Sequence, residues 1–214
     1  MLLRRLKVGP RAALGFSAVA LLVIILGLFA QSQMQTIRNG TLEVLDNTLP
    51  SFVALGSISD RMLRLRIISF RILVDREESQ LRGSISRGDE LIGELGKALD
   101  GYAALINSDN EKAQFVLFKE VLADYVRIHK QLVEKSATGD IEGVRSLLGG
   151  DYTKYSVKLG AQLNELIKLN TNAAQSFATL SQSQYERSNI GVMLSMALAV
   201  ALTIVLATLF TRSI

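Results

Sequence analysis

Two uncharged apolar runs, one near each end of the chain, limit its fold more than any other feature. Residues 12–30, AALGFSAVALLVIILGLFA, and residues 190–210, IGVMLSMALAVALTIVLATLF, contain no Asp, Glu, Lys or Arg. The hydrocarbon core of a bilayer is about 30 Å thick, and a helix of roughly 20 apolar residues crosses it once. A buried helix of a soluble protein can have the same composition. However, two such runs that bracket one polar segment favour two transmembrane helices.

Basic residues flank the outer end of each run. Four precede the first run and one follows the second: Arg4, Arg5, Lys7, Arg11 and Arg212. The positive-inside rule therefore places both termini in the cytoplasm of a bacterial inner (plasma) membrane. Residues 31–189 then lie outside, in the periplasm if the cell is Gram-negative. A cleaved signal peptide is the alternative for residues 12–30, but this run is longer than a usual signal core and no clear cleavage motif follows it.

The distribution of charge agrees with this topology. The chain has 24 basic and 20 acidic residues, and all the acidic residues and 19 of the basic ones lie within residues 31–189. The pI of about 9.4 thus comes from the cytoplasmic flanks, and nucleic acid is not an expected partner. The chain has no cysteine and one histidine, His129. We therefore expect neither a disulfide framework nor a metal site.

Between the two runs, apolar residues recur at helical spacing, with steps of three and four, and no strand-like alternation is present. The first helix is expected to extend from the first run to about Val74, with Pro50 introducing a kink or a shift in its apolar face. Its core positions are Leu42, Leu45, Leu49, Phe52, Leu55, Ile58, Met62, Leu65 and Ile72. Those of the second helix are Leu81, Ile85, Gly88, Ile92, Leu95, Leu99, Tyr102 and Ile106.

Two further helices follow. The third has core positions Phe118, Val121, Tyr125, Ile128 and Leu132. The fourth has Tyr152, Tyr155, Leu159, Leu166, Ala173, Phe177 and Leu180, and no breaker separates it from the second apolar run. Turns are predicted at DREES (75–79), NSDN (107–110) and ATGD (137–140), where Ser108 or Asp109 is a candidate cap and a short helix follows ATGD. The predicted fold is an all-α, antiparallel up-down four-helix bundle continuous with two transmembrane helices.

Several segments, in this order along the chain, resemble methyl-accepting chemotaxis proteins with a four-helix-bundle ligand-binding domain. They are MLLRRLKVGPRAALGF at the N-terminus, NTLPSFVALGSISDRMLRLRI in the first helix, ATGDIEGVRSLL before the fourth, LNELIKLNTNAAQ within it, and the terminal TRSI, which is similar to the start of a HAMP relay. The resemblance divides the chain into a cytoplasmic tail (1–11), a transmembrane helix (12–30), a periplasmic sensor domain (31–189), a second transmembrane helix (190–210) and a truncated HAMP start (211–214).

The resemblance implies a homodimeric receptor that detects a small ligand at its dimer interface and transmits a helix displacement across the membrane. The HAMP relay, the methylation helices and the tip that couples to the chemotaxis adaptor and kinase would follow Ile214. Similar sensor domains also serve histidine kinases and diguanylate cyclases, and some receptors sense through a binding protein. These alternatives stay open. No phosphate loop, nucleophile elbow or catalytic dyad is present, so we expect no enzymatic activity, no catalytic residue and no cofactor.

Five arginines lie on or just after the predicted first helix: Arg61, Arg64, Arg66, Arg71 and Arg76. Asp60–Arg64 and Arg71–Asp75 are i,i+4 pairs, which stabilise a solvated helix face weakly. Arg61 and Arg66 have no acidic residue three or four positions away. They lie about 140° apart around one helix, so a single small ligand could contact both only across a two-fold axis, with one arginine from each chain. Interhelix salt bridges are the alternative role.

In the family that the chain resembles, amino-acid receptors hold a carboxylate with first-helix arginines in an R-x4-R-x3-R pattern. Arg61 and Arg66 match the first two places and Phe70 occupies the third, so an anion stays plausible and an aspartate-type ligand is in doubt. Arginine suits carboxylate or phosphate because its donors form paired bonds, so the ligand is expected to be a carboxylate, an amino acid or a phosphate. The candidate ligand-binding residues are Arg61, Arg64, Arg66, Phe70, Tyr152, Thr153 and Tyr155, with Lys154 beside them. Asp89, Glu90 and Glu94 are expected on a solvated face, and His129 near Tyr125 and Leu132.

Overall fold

Helices make up nearly all of the described chain. The computed structural model describes residues 8–75 and 77–211, and within these ranges no strand forms. The helices are α1 (Val8–Glu43), α2 (Leu49–Val74), α3 (Glu78–Ala103), α4 (Asp109–Ala137), α5 (Ile141–Leu147) and α6 (Thr153–Thr211); five-residue π-helical turns, Val44–Thr48 and Leu148–Tyr152, precede α2 and α6. The prediction of an all-α fold is confirmed. The basic residues Arg4, Arg5 and Lys7, together with Arg76 and residues 212–214 with Arg212, lie outside the described residues.

The predicted helix boundaries agree with the structure. The first predicted helix ends at Val74, as expected, and the apolar run at 190–210 continues α6 without a break. Ser108 caps α4, since its hydroxyl accepts a bond of 3.3 Å from the Glu111 amide. Gly139 ends the preceding turn with a φ of +76°, which glycine adopts without strain. The side chain of Asp140 then caps α5 by accepting a bond of 2.9 Å from the Gly143 amide.

The chain divides into two compact units. The first, here called the bundle unit, is Val44–Gln175, and the second, here called the terminal unit, consists of the residues up to Glu43 and those from Ser176. In the terminal unit, Ser188 on α6 donates a hydrogen bond to Gln33 on α1. The described residues contain two helices that are long and apolar enough to cross a membrane, Gly15–Val74 and Ile141–Val205, judged by length and composition alone. This is consistent with a two-pass membrane protein.

The core of the bundle unit is formed by α2, α3, α4, α5 and the first part of α6. Every predicted core position of α4 is buried, and on α2 the predicted positions from Leu55 onward are buried or half-buried. The buried apolar residues of the cluster are Leu55, Ile58, Leu65, Ile68, Leu91, Leu95, Tyr102, Phe115, Phe118, Val121, Leu122, Tyr125, Ile128, Leu132, Val144, Leu148, Tyr152, Leu159, Leu163 and Leu166.

The core prediction is wrong at both ends of the bundle. Leu42, Leu45 and Leu49 are exposed, Leu45 by 54% of its surface. The reason is the π-helical turn before Pro50: its wider turn changes the phase of the helix, so residues before and after it do not share one face. The shift predicted at Pro50 is therefore real, but it removes these leucines from the core. Ala173 and Leu180 on α6 are exposed as well.

Candidate functional site

The exposed face of α2 carries the predicted arginines among apolar side chains. Its opposite face is buried in the core of the bundle unit. On the exposed face, the large apolar side chains retain between 40% and 69% of their surface in solvent: Val53, Leu63, Ile67, Phe70 and Val74. A groove of about 500 Å³ runs along this face and is lined by Leu63, Arg66, Ile67, Phe70, Arg71, Val74 and Asp75. An arginine within such an apolar surface can fix the charged end of a small ligand.

Arg61 is held in contacts within the bundle. Its Nη1 donates to the hydroxyl of Ser57 at 2.6 Å and to the carbonyl of Ser57 at 3.1 Å. Its Nε lies 3.4 Å from Oε2 of Glu94 on α3, which is an ionic contact without hydrogen-bond alignment. Glu94 also accepts from Arg87 at 3.0 Å. The alternative role predicted for Arg61, an interhelix salt bridge, is therefore confirmed, and the Glu94 side chain, which was expected on a solvated face, retains 36% of its surface in solvent.

The two predicted i,i+4 pairs have different outcomes. Arg64 and Asp60 form the expected pair at 2.8 Å, with both side chains about half exposed or more, so Arg64 is bound to a neighbour on its own helix. Arg71 and Asp75 form no ion pair within the described part of the chain. Asp75 follows the last residue of α2 in an extended conformation and accepts a hydrogen bond of 2.5 Å from Ser84. The predicted Arg71–Asp75 pair is wrong because α2 ends at Val74. Asp75 is therefore outside the helix and does not take the position that i,i+4 spacing requires.

Arg66 is the predicted binding residue whose charge stays available. Its side chain is exposed, and across the described ranges no acidic group lies within salt-bridge distance of it. It nevertheless lies close enough to Tyr125 to oppose, as a cation, the rise in the pKa of that phenol that burial causes. Arg66 is therefore near the buried tyrosines of the bundle while its guanidinium faces the groove.

Phe70 and Tyr152 meet at the inner edge of the groove. Their ring centroids are 6.2 Å apart at an interplanar angle of 82°, an edge-to-face contact. Tyr152 is fully buried, and its hydroxyl donates to Ser69 at 2.6 Å and pairs with the hydroxyl of Tyr125. The structure thus brings Arg66, Phe70 and Tyr152 together, with Tyr152 behind the ring of Phe70 instead of at the surface.

Thr153 and Tyr155 have other contacts. The Thr153 hydroxyl donates to the carbonyl of Leu148 at 2.6 Å, a bond within the chain turn that starts α6. The half-buried ring of Tyr155 lies 5.9 Å from Nζ of Lys154 and 6.0 Å from Nζ of Lys158. The nearby Asp124 accepts a hydrogen bond from Arg127 at 2.8 Å, and this bond is the main cause of the lowered pKa of Asp124. The side chains around Tyr155 are mostly basic, and the Asp124 carboxylate among them already accepts a hydrogen bond.

Two buried polar clusters were missed by sequence reasoning. In one, His129 contacts Ser69 through Nδ1 at 2.7 Å. In the other, the Glu111 carboxylate is only 5% exposed and accepts from Tyr102 at 2.6 Å and from Asn170 at 2.8 Å. A serine four residues after Leu65, within an apolar helix, was the available signal for the first cluster. Within the described residues, no group of three or more His, Cys, Asp or Glu side chains is placed to hold a metal ion.

The described residues form an all-helical bundle, with two helices that are long and apolar enough to cross a membrane. Residues 5–185 match the family described as the four helix bundle sensory module for signal transduction, and the chain belongs to this family. It is also similar to the "Putative sensory transducer protein YvaQ" of Bacillus subtilis (strain 168), at 21% identity over 210 residues. That match covers 98% of this chain and 37% of YvaQ, so the chain spans about a third of the relative's length. The predicted resemblance is confirmed by these two findings.

Proposed function

We propose that the chain is the sensor and transmembrane portion of a homodimeric chemotaxis receptor, with no catalytic activity of its own. The observation that carries the proposal is the match of residues 5–185 to a four-helix-bundle sensory module in a chain with two helices that could cross a membrane. The bundle lies outside the inner membrane and both termini lie in the cytoplasm, as the basic flanks favour. A histidine kinase or diguanylate cyclase as the output is the second candidate, since sensory modules of this kind are not tied to one output.

A second copy of the chain is the proposed partner on the exposed face of α2. Leu49, Val53, Leu63, Ile67, Phe70 and Val74 follow steps of three and four, with Gly56 and Asp60 filling the intermediate positions. An exposed apolar stripe of this spacing is the pattern of a helix that pairs with another helix. Asp60 lies within the stripe, and its charge is balanced by Arg64 of the same helix at 2.8 Å.

The ligand proposed for this face is a small carboxylate with an apolar body. Among the arginines predicted to bind ligand, Arg66 supplies the positive charge, because Arg61 is bound to Glu94 and Arg64 to Asp60. Arg71 also lines the groove and adds a second positive charge. The remainder of the groove is mostly apolar, with Leu63, Ile67 and Phe70 as its main walls. Phosphate, whose entire surface is polar, would leave these walls without contacts, and an amino acid would bring an ammonium group for which the groove offers only Asp75.

The proposed transmission is a shift of one long helix relative to the others. Ligand that contacts Arg66 and Phe70 on α2 also acts on Tyr152, since Phe70 packs against that ring at the start of α6. α6 then continues without interruption to Thr211. A differential affinity of about 3–5 kcal/mol between two positions of α6 is sufficient to switch the population of a two-state element. Binding of a loaded binding protein to the same face would use the same path.

The test is ligand binding by the full 214-residue chain in nanodiscs, with matched arginine variants. We expect benzoate to bind, as measured by calorimetry and by a raised Tm, and phosphate and glutamate to bind more weakly. Arg66→Ala should weaken benzoate binding about 10- to 100-fold, because a hydrogen bond to a charged group contributes roughly 1.5–3 kcal/mol. Arg64→Ala is the control and should leave binding unchanged. Equal losses in both variants would contradict the site, and no binding of any anion would favour sensing through a binding protein.

A further inference from the structure

His129 lies at the centre of the bundle unit in a hydrogen-bond arrangement that determines its tautomer. The Ser69 hydroxyl donates its single hydrogen to the Leu65 carbonyl at 2.8 Å. The same oxygen accepts from the Tyr152 hydroxyl at 2.6 Å. If Ser69 keeps these two bonds, its hydroxyl has no second hydrogen for His129, and we assign Nδ1, at 2.7 Å, as the donor. The neutral imidazole carries its hydrogen on Nδ1, and Nε2 is left with a free lone pair.

Nε2 of His129 has no hydrogen-bond partner among the described residues, although the side chain is fully buried. It faces α3 at Gly88, so closely that a Cβ atom at this position would lie 2.8 Å from Nε2 and 3.2 Å from Cε1. Glycine is thus required for the approach of the two helices. A buried acceptor without a partner among protein groups is uncommon in folded proteins.

The charged and titratable groups around the imidazole come from every neighbouring helix. Burial lowers the pKa of His129 below its ordinary value of 6.5. The exposed Asp89 on α3 has the opposite, smaller effect, because its negative charge raises this pKa. α2 contributes Ser69 and, near the tyrosines, Arg66. Tyr125 lies on α4 itself and Tyr152 precedes α6.

We propose that Nε2 of His129 is a proton-binding site through which solvent acidity loosens the bundle unit. Proton uptake gives Nε2 a hydrogen that points at Gly88, where α3 offers no acceptor, and places a positive charge in an apolar interior. The imidazolium is accommodated if α3 and α4 separate at Gly88 so that Asp89 or solvent reaches it. Because His129 is joined through Ser69 to Tyr152 and Phe70, the loosening extends to the exposed face of α2. This inference does not require the proposed ligand or output.

The direction of the effect on stability follows from linkage. In the unfolded chain His129 titrates near its ordinary value of 6.5, and in the folded bundle it titrates at a lower pH. Between these two pH values the unfolded chain binds more protons than the folded one, so the free energy of unfolding decreases as the pH falls. Well above pH 6.5 both states are neutral at this residue, and its contribution is constant.

A direct test uses the fact that the chain contains one histidine. The full chain, purified with a tag free of histidine and labelled with ¹³C and ¹⁵N on its imidazole, is titrated in nanodiscs by NMR between pH 8 and pH 4.5. We expect a single imidazole with its hydrogen on Nδ1 at pH 8 and a midpoint below 6.5. A midpoint at or above 6.5, or a hydrogen on Nε2, would overturn the proposal.

The structural consequence is tested by thermal unfolding of the full chain and of His129→Asn. The asparagine side-chain amide can donate to Ser69 from nearly the position of Nδ1, but it does not titrate. We expect the Tm of the wild-type chain to fall more steeply than that of the variant between pH 7.5 and pH 5. Parallel curves would show that proton uptake at His129 does not act on the bundle. If the variant does not fold, the NMR titration still decides the question.

Discussion

Tyr102→Phe removes one buried hydroxyl at the end of α3, and with it one donated and one accepted hydrogen bond, without leaving a cavity. The Tyr102 hydroxyl donates to Glu111 at 2.6 Å and accepts from Asn170 at 3.0 Å. Burial raises the pKa of Tyr102, and the adjacent Glu111 carboxylate raises it further, so the phenol keeps its hydrogen and donates at any pH at which the protein is studied. The variant removes this donor and leaves the ring in contact with Phe115.

The expected loss follows from the type of bond. A hydrogen bond to a charged group contributes roughly 1.5–3 kcal/mol, and Glu111 keeps the amide of Asn170 as a donor to the same oxygen. For a unit on the order of 130 residues, 1 kcal/mol shifts the Tm by roughly 3–5 °C. Tyr102→Phe should therefore lower the Tm by about 5–15 °C.

The assay is thermal unfolding followed by circular dichroism at 222 nm on the chain in nanodiscs. Tyr155→Phe is the matched control: it removes a tyrosine hydroxyl from a ring that is half-buried instead of fully buried, and the neighbouring Asp124 keeps its hydrogen bond from Arg127 at 2.8 Å. Its Tm should change by less than about 3 °C. Equal shifts in the two variants would refute the argument that Tyr102, Glu111 and Asn170 stabilise this end of the bundle unit.

Two further predictions use glycines and the absence of cysteine. Gly88→Ala should destabilise the bundle unit by about 1–3 kcal/mol, because the new Cβ would lie 2.8 Å from Nε2 of His129; Gly93→Ala, with nothing within 4 Å of its Cβ, should stabilise by about 0.5–1 kcal/mol. Both variants are measured by chemical denaturation. If the two changes in the free energy of unfolding had the same sign, the explanation given for Gly88 would be wrong. Ile67→Cys should form an intermolecular disulfide in membranes on mild oxidation, whereas Lys97→Cys on the exposed face of α3 should not. Equal crosslinking at both positions, or none at Ile67, would remove α2 as the proposed dimer face.

Local signals were sufficient for much of the fold. The spacing Phe118, Val121, Tyr125, Ile128 and Leu132 predicted the buried face of α4, since apolar period alone determines which side of an amphipathic helix faces a core. Ser108 at a helix start had its predicted role because capping depends on residues within one turn. These features need no knowledge of the rest of the chain.

Contacts between distant segments could not be predicted from these local sequence patterns. Arg61 and Glu94 are separated by 33 positions, and Ser69 and His129 by 60. A single sequence contains no signal that such distant residues are in contact. The π-helical turn at Val44–Thr48 also had no recognisable pattern other than the following Pro50, so its effect on Leu45 and Leu49 was missed. The spacing that begins at Tyr152 predicted the burial of this residue, whereas the exposed position of Arg66 was not predicted and depends on tertiary packing.

The most direct test of the account is the side of the membrane on which the bundle unit lies. The chain has no cysteine, so single cysteines can be placed at will, and intact cells can be treated with a small membrane-impermeant maleimide. Asp89→Cys, at an exposed position of α3, should be labelled in intact cells. Ser213→Cys should be labelled only after the membrane is opened. Protection of Asp89→Cys in intact cells, or labelling of Ser213→Cys from outside, would contradict a sensor that lies outside the cell between two membrane helices.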